Sequence, residues 1–363
     1  MSEEILIRPN QQGEEQEIVD LLNILFPKWP VVDVNSSLQH WQWKYWDNPI
    51  KKKNCLVAVS QNKIIGFFGL YSNKLKIKNR EIFSNTGVDV GTHPDYRGKG
   101  IYSSLRNTAG KVRVEEGFEL SFGIESNPIL IQAHEKRGDQ GKFPFTVRQD
   151  YKIIDIDVHY QNKKSNYVFL KKIGFKILNY FTSIRNLIGW SSNIQGVNVY
   201  EGKYDQRLEK FFKKIEDEHD FIFKKTSEHI AWRYFDSRGG NYVIKYAEFG
   251  DEIVGYVVLS EKMEQEYSRG YIVELITLSE FSSIQDLLIQ ESIDYFKERE
   301  VNFIRFLAIS GKSVERSLRR HMFLKGKPLY LTFTLGLNDA SLLKWRPLIM
   351  DRIHFCYGDF DYI

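Results

Sequence analysis

The chain has 363 residues, 42% hydrophobic and 27% charged, a globular balance with room for two domains of ordinary size. Its 51 Lys and Arg exceed its 47 Asp and Glu by only four, so nothing in the charge calls for nucleic acid as a partner. Cys55 and Cys356 lack metal-ligand spacing, no run of about eighteen apolar residues occurs, and the first residues lack a basic-then-apolar leader; a metal site, a membrane span and a secretory route are therefore not expected, and a cytoplasmic setting is.

In chain order, the patterning predicts a strand over 5–8, a helix over 14–25, and an aromatic-rich helix and loop over 36–49. A hairpin over 54–70 follows, then strands at 74–79 and 82–92, a helix over 100–116, a strand over 118–124, a helix over 128–137 and a strand over 149–158. Strands joined by crossover helices give an α/β (α+β) fold with a mixed sheet covered by helices. The segment Tyr167–Trp190 is basic and apolar in helical rhythm. It fits a helix packed across a junction, or peripheral contact with an anionic membrane surface.

The second half echoes the first. His40, Trp43, Tyr45 and Asp47 recur as His229, Trp232, Tyr234 and Asp236, and Ile64-Ile65-Gly66-Phe67 recurs as Ile253-Val254-Gly255-Tyr256, all at one offset. Two matches in one register imply a tandem duplication. The second copy then predicts a strand at 196–200, a helix at 204–217, the aromatic element at 227–236, a hairpin at 242–259, a strand at 270–278, a helix at 282–299, a strand at 302–308, a helix at 312–323 and closing strands. The expected domains are 1–160 and 196–363, with 161–195 as junction.

One loop carries chemistry. Val88–Thr92 reads as a strand that enters His93-Pro94-Asp95-Tyr96-Arg97-Gly98-Lys99-Gly100-Ile101-Tyr102 and then a helix. A glycine-bearing turn at a helix N-terminus offers unpaired amides and a favourable dipole to a diphosphate. Gly98 and Gly100 allow close backbone approach, and Arg97 and Lys99 add charge at the rim. The loop is neither Walker-type nor a dinucleotide fingerprint.

Arg97-Gly98-Lys99-Gly100-Ile101 resembles the acetyl-CoA loop of the GNAT superfamily of acyl-CoA N-acyltransferases, Gln/Arg-x-x-Gly-x-Gly/Ala, with Tyr102 at the last position as a departure. Asn127 through Gly138 is similar to that family's Asn-x-x-Ala-(x)3-Tyr-x-Lys-x-Gly-Phe stretch; Asn127, Lys136 and Gly138 match, His134 stands at the Tyr position and Asp139 at the Phe position. The two motifs cover about 85–140, and strand order extends the resemblance over 1–155. The second copy reads Leu278-Ser279-Glu280-Phe281-Ser282-Ser283-Ile284 where the loop should be, so it resembles a GNAT fold that has lost its cofactor loop.

The resemblance implies two GNAT-like domains in tandem and an N-acyltransferase, with acetyl-CoA or another acyl-CoA as co-substrate and no metal. Val90, Gly91 and Thr92 would hold the pantetheine arm, and Arg97, Gly98, Lys99, Gly100, Ile101, Tyr102 and Asn127 would complete the cofactor site. His134 is the candidate general acid; Asp89, then Glu125, are candidate bases, unless a chain of waters serves instead. Trp43 and Tyr45 recur in the copy without the loop and are expected to pack; Trp41 and Trp46 are possible cleft walls. The expected acceptor is a primary amine of a small molecule or glycan. An amino sugar is suggested by the layout and the Tyr357-Gly358-Asp359-Phe360-Asp361 tail. The alternatives are a FemABX-like aminoacyl transferase and a non-catalytic acyl-CoA-binding regulator, and the chain is expected as a monomer or homodimer.

Overall fold

Period-two apolar patterning and tight polar turns dominate the chain, and the structure is accordingly built around one large sheet. The computed structural model describes residues 4–30, 32–53, 55–125, 140–157, 196–264, 267–335 and 349–360. The helix expected at 128–137, most of the junction and the amphipathic segment 167–190 lie outside them.

In the first half β1 (Leu6–Pro9) leads to α1 (Glu15–Leu25), whose Ile18, Val19, Leu21 and Leu22 form one buried stripe. Helix α2 (Ser37–Tyr45) starts at Ser36, whose hydroxyl accepts the Gln39 amide. Strands β2 (Cys55–Ser60) and β3 (Lys63–Ile77) form a hairpin in which Gln61 and Asn62 both take left-handed angles (φ 49° and 60°), as a type I′ turn requires. Strand β4 (Arg80–Thr92), helix α3 (Ile101–Glu115), β5 (Leu120–Glu125) and β6 (Gln140–Ile153) complete this half.

The second half repeats it with β7 (Val197–Glu201), α4 (Leu208–Glu218), β8 (Phe221–Phe223), and α5 (Ser227–Ile230) running into a π-turn over Ala231–Phe235. Then come β9 (Val243–Phe249), β10 (Glu252–Glu264), β11 (Tyr267–Thr277), α6 (Ile284–Glu298), β12 (Phe303–Ile309), α7 (Val314–Arg320) and β13 (Pro328–Leu335). Two expectations need correction. The strands expected at 70 and 74–79 are one continuous β3, and the strand expected at 149–158 runs over 140–153 instead. Short β8, which pairs with the far end of β3, escaped the pattern because three residues carry no period.

The strand order β1-β2-β3-β4-β5-β13-β6-β12-β11-β10-β9-β7 reads as two copies meeting head to head. At the centre the last strands are exchanged: β13 of the second copy pairs with β5 of the first, and β6 of the first pairs with β12 of the second. Exchange fuses the cores. Leu75, Ile77, Ile82, Phe122 and Phe143 belong to the same buried cluster as Phe211, Tyr256 and Leu288.

The duplicated aromatic motif marks the pseudo-twofold axis. Trp43 and Trp232 stack with centroids 4.8 Å apart and an 18° interplanar angle. Each indole N–H donates to the other's backbone carbonyl, at 2.8 and 2.9 Å. Trp43→Ala removes a ring that is 2% exposed and is expected to cost ~3–5 kcal/mol. A double-mutant cycle with Trp232→Ala, read by urea denaturation, should give a coupling of about 1 kcal/mol; strict additivity would mean that the rings do not hold the halves together.

Candidate active site

Strands β4 and β5 run parallel, and parallel neighbours normally stay paired along their length. Here the ladder has only two rungs, Ser84↔Leu120 and Asn85↔Ser121. Beyond them β5 continues against β13, while β4 continues against β3 to Thr92. The edge of β4 that faced β5 is thereby opened. Asp89 and Glu125 each lie four residues past the last rung on their own strand, so both candidate bases stand along this opening.

Asp89 makes a bulge in β4. It takes a left-handed backbone (φ 52°), uncommon for any residue with a side chain, and the β3–β4 register shifts between Phe67 and Gly69. Three donors converge on its carboxylate: the Trp29 indole at 3.0 Å, the buried Lys44 ammonium at 2.6 Å and the Tyr45 hydroxyl at 2.7 Å. They hold the strained backbone in place. Tyr45 therefore does more than pack. Its counterpart Tyr234 donates likewise to Glu274, three residues before Thr277 as Asp89 is three before Thr92.

Past Thr92 the chain turns through a short 3-10 segment, Pro94–Tyr96, into the glycine loop. Gly98 and Gly100 take positive φ (79° and 74°), which a side chain would disfavour. Gly100 is the N-cap of α3, and no side chain caps the helix, so its first amides face outward with the positive end of a fifteen-residue dipole. A cavity of about 320 Å³ lies there. Val90, Gly91 and Thr92 form one wall, Arg97, Gly98, Gly100, Ile101 and Tyr102 the other, with Leu25 and Phe26 of the α1 end alongside.

The sequence thus places these eight residues together. Lys99 is not in the wall; its ammonium lies 4.9 Å from the centroid of the Tyr96 ring. Tyr102 is 53% exposed and does not crowd the helix start. Asn127 and His134 lie outside the described residues. Trp41 is fully buried core and lines no cleft, whereas Trp46 is 37% exposed with its ring against Trp41. Leu25 and Phe26 were missed, because nothing local marks the end of α1 as a cofactor wall.

The second half opens in the same way. Strand β11 pairs with β12 only as far as Ile272↔Phe306. Its loop is filled from within: the Glu218 carboxylate accepts from the Ser279 amide at 2.9 Å and the Ser279 hydroxyl at 3.0 Å. A protein carboxylate stands where a phosphate would need those donors.

Behind that opening Glu274 sits in a fully buried polar network. The Tyr234 hydroxyl donates to one carboxylate oxygen at 2.7 Å, and His354 Nε2 and the Lys225 ammonium lie 3.2 and 3.4 Å from the other. Lys225 also donates to Asp359. Burial opposes ionisation of Glu274, yet Lys225 and His354 outweigh it and hold its carboxyl well below the usual range. Among the described residues Glu274, His354 and Cys356 offer atoms within 4.8 Å of one another. Lys225 already supplies the positive charge a cation would bring, and burial pushes the Cys356 thiol up, which suits a compensated network. The tail expected to mark an amino-sugar enzyme is part of this core: Tyr357 and Asp359 are buried. Both cysteines are unpaired, and no described helix is long and apolar enough to cross a membrane.

Burial also holds His219 and His229 neutral, with pKa values lowered to about 3. The unfolded chain takes up those protons near pH 6.5, so their contribution is complete above that value and is lost as pH falls toward 3. Each should subtract about 1.4 kcal/mol per pH unit in that window, on the scale of one pKa unit. Urea midpoints measured from pH 7 to pH 5 should fall more gently in His219→Asn; an equal slope would mean that His219 is not buried neutral.

Residues 6–130 match the family model for an acetyltransferase (GNAT) domain. No curated protein matches the chain. Among solved structures it is similar to a GCN5-related N-acetyltransferase from Anabaena variabilis, at 10% identity and TM-score 0.61, over 92% of this chain and 73% of that one. It is similar to a probable N-acyltransferase from Enterococcus faecalis, at 9% identity and TM-score 0.60, over 92% and 72%. It is also similar to N-myristoyltransferase from Saccharomyces cerevisiae, solved with myristoyl-CoA and inhibitors, at 11% identity and TM-score 0.62, over 99% and 87%. At these identities the likeness to solved structures is one of fold. The motif-bearing first half supplies the GNAT-domain match, and the chain as a whole shares the fold of these N-acyltransferase structures.

Proposed function

We propose that the protein is an N-acyltransferase that moves an acyl group from acyl-CoA to a primary amine of a small molecule or glycan. The observation that carries this is the uncapped N-terminus of α3 behind Gly98 and Gly100, joined to the opened edge of β4. The loop amides bind the diphosphate, and the free strand edge at Val90–Thr92 lines the pantetheine arm. In the transfer the neutral amine attacks the thioester carbonyl. A C–N bond forms, the C–S bond breaks with its electrons on sulfur, and the thiolate takes up a proton.

Asp89 is already claimed by Trp29, Lys44 and Tyr45, so its role in this proposal is to hold the bulge and shape the strand edge. Glu125, across the opening, takes the proton from the incoming ammonium, directly or through water, and His134 returns one to the thiolate. Residues 1–160 form the catalytic half, 161–195 the junction, and 196–363 a half whose loop is closed by Glu218. Mixing acetyl-CoA or myristoyl-CoA with a panel of primary amines should release free CoA thiol. Release that is equal with and without every amine would contradict the transferase reading.

A further inference from the structure

A cavity of about 410 Å³ lies outside the family-matched half. It lies in the second half where β11 leaves β12, and the chain segment Asp351–Cys356 closes it from the side; His354 is tied there through its amide to Phe221 at 2.8 Å. The cavity occupies the position that the proposed acyl-CoA channel has in the first half, yet its chemistry differs. At its mouth Glu218 takes the Ser279 amide and hydroxyl, so a diphosphate there would meet a like charge. The floor is apolar, with Leu275, Ile276, Phe306, Leu307 and Phe355.

Two cations line the cavity, and Arg352 is paired with Asp220 at 2.9 Å. The Lys312 ammonium lines the cavity and donates to the Ile353 carbonyl at 2.8 Å. Among the described residues no carboxylate lies within ion-pair distance of it. An ammonium enclosed by protein needs compensating charge or loses its proton. Burial brings its pKa down to about 8, against weaker opposing pulls from Asp351 and Cys356. His219 and His354 share the wall but stand neutral or spoken for, His354 by Glu274. Lys312 is thus the cavity's anion-seeking group, and it sits over an apolar surface sized for several carbons.

We infer that the second half binds a small monocarboxylate in this cavity, with the carboxylate on Lys312 and the apolar body over Leu275, Phe306 and Leu307. The ligand supplies the charge that the ammonium lacks, and its hydrocarbon part covers the floor. This site is separate from acyl-CoA binding and does not depend on it.

Equilibrium binding of labelled hexanoate to the full chain tests it, with hexanamide as the neutral isostere. Saturable binding of one hexanoate per chain is expected at pH 7, at least tenfold tighter than hexanamide. Lys312→Met should weaken it tenfold or more, as loss of a charge-assisted contact implies. Gly100→Trp, which blocks the first-half site, should leave it unchanged. Because the ammonium is the binding form, affinity should fall about tenfold per pH unit above pH 8. Should Lys312→Met fail to fold, Ser282→Trp at the exposed rim closes the mouth with Lys312 intact and should abolish binding. Absence of saturable binding, equal binding of hexanamide, full binding by Lys312→Met, or loss in Gly100→Trp would each overturn the assignment.

Discussion

Gly100→Trp is expected to lower acyl-CoA affinity about 100-fold or more, a loss of roughly 2.7 kcal/mol, while the fold survives. The physical reason is local. A Cβ at Gly100 meets nothing within 4 Å, so a side chain there projects into the space that the diphosphate needs, not into the core. The same residue holds φ at 74°, so the substitution also strains the turn that aims the first amides of α3. Calorimetric titration of acetyl-CoA into the variant measures the affinity, and the far-ultraviolet spectrum reports whether the helix remains. Unchanged affinity in a folded variant would remove the loop from the cofactor site. A comparable substitution at Ser282, in the second copy, should leave acyl-CoA affinity untouched, because Glu218 already closes that loop.

Lys225→Met is expected to destabilise the protein by ~3–5 kcal/mol, the largest effect on stability foreseen for a single polar residue. Removing the ammonium leaves Glu274 and Asp359 facing each other in a dry core with one compensating cation fewer. Burial then raises the Glu274 carboxyl toward neutrality, and the protein should become most unstable at high pH, where that carboxyl takes up no proton in either state. Adding Asp359→Asn to Lys225→Met should restore part of the loss, since one of the two uncompensated charges is gone. Urea denaturation of the three variants at pH 8 measures this. A single variant within about 0.5 kcal/mol of wild type would mean that the network is hydrated and adds little.

Much of the arrangement was readable from the residues, because it rests on local signals. The offset that pairs Trp43 with Trp232 predicted a duplication, and the structure places those two rings against each other with reciprocal hydrogen bonds. Gly98 and Gly100 pointed to a glycine-bearing turn at a helix start; the turn is there, with both glycines at positive φ. What the pattern did not carry is long-range. Strand exchange at the centre puts β6 beside β12 and β13 beside β5, although no residue in those strands distinguishes an exchanged partner from an ordinary one.

The same holds for Asp89 and Glu218. Asp89 could be named as a candidate base from its place near the loop, but its bulge and its bonds to Lys44, Tyr45 and Trp29 could not, because period-two reasoning fails wherever an extra residue enters a strand. Glu218 looks like an ordinary surface acid at the end of an amphipathic helix. Its role in closing the second loop depends on α4 and Ser279 meeting across 61 residues of chain. Lys312 is equally silent in sequence: only the approach of Asp351–Cys356 makes it a half-buried cation in a cavity wall.

In the proposed function one half of the duplicated fold binds acyl-CoA, and the other has closed its loop with the Glu218 carboxylate. Titration calorimetry of acetyl-CoA against the wild-type chain tests this most directly through its stoichiometry. One molecule bound per chain is predicted. Two would show that Glu218 yields its place to a second diphosphate, and none at millimolar acetyl-CoA or myristoyl-CoA would contradict the loop at Gly98–Gly100 as a CoA site.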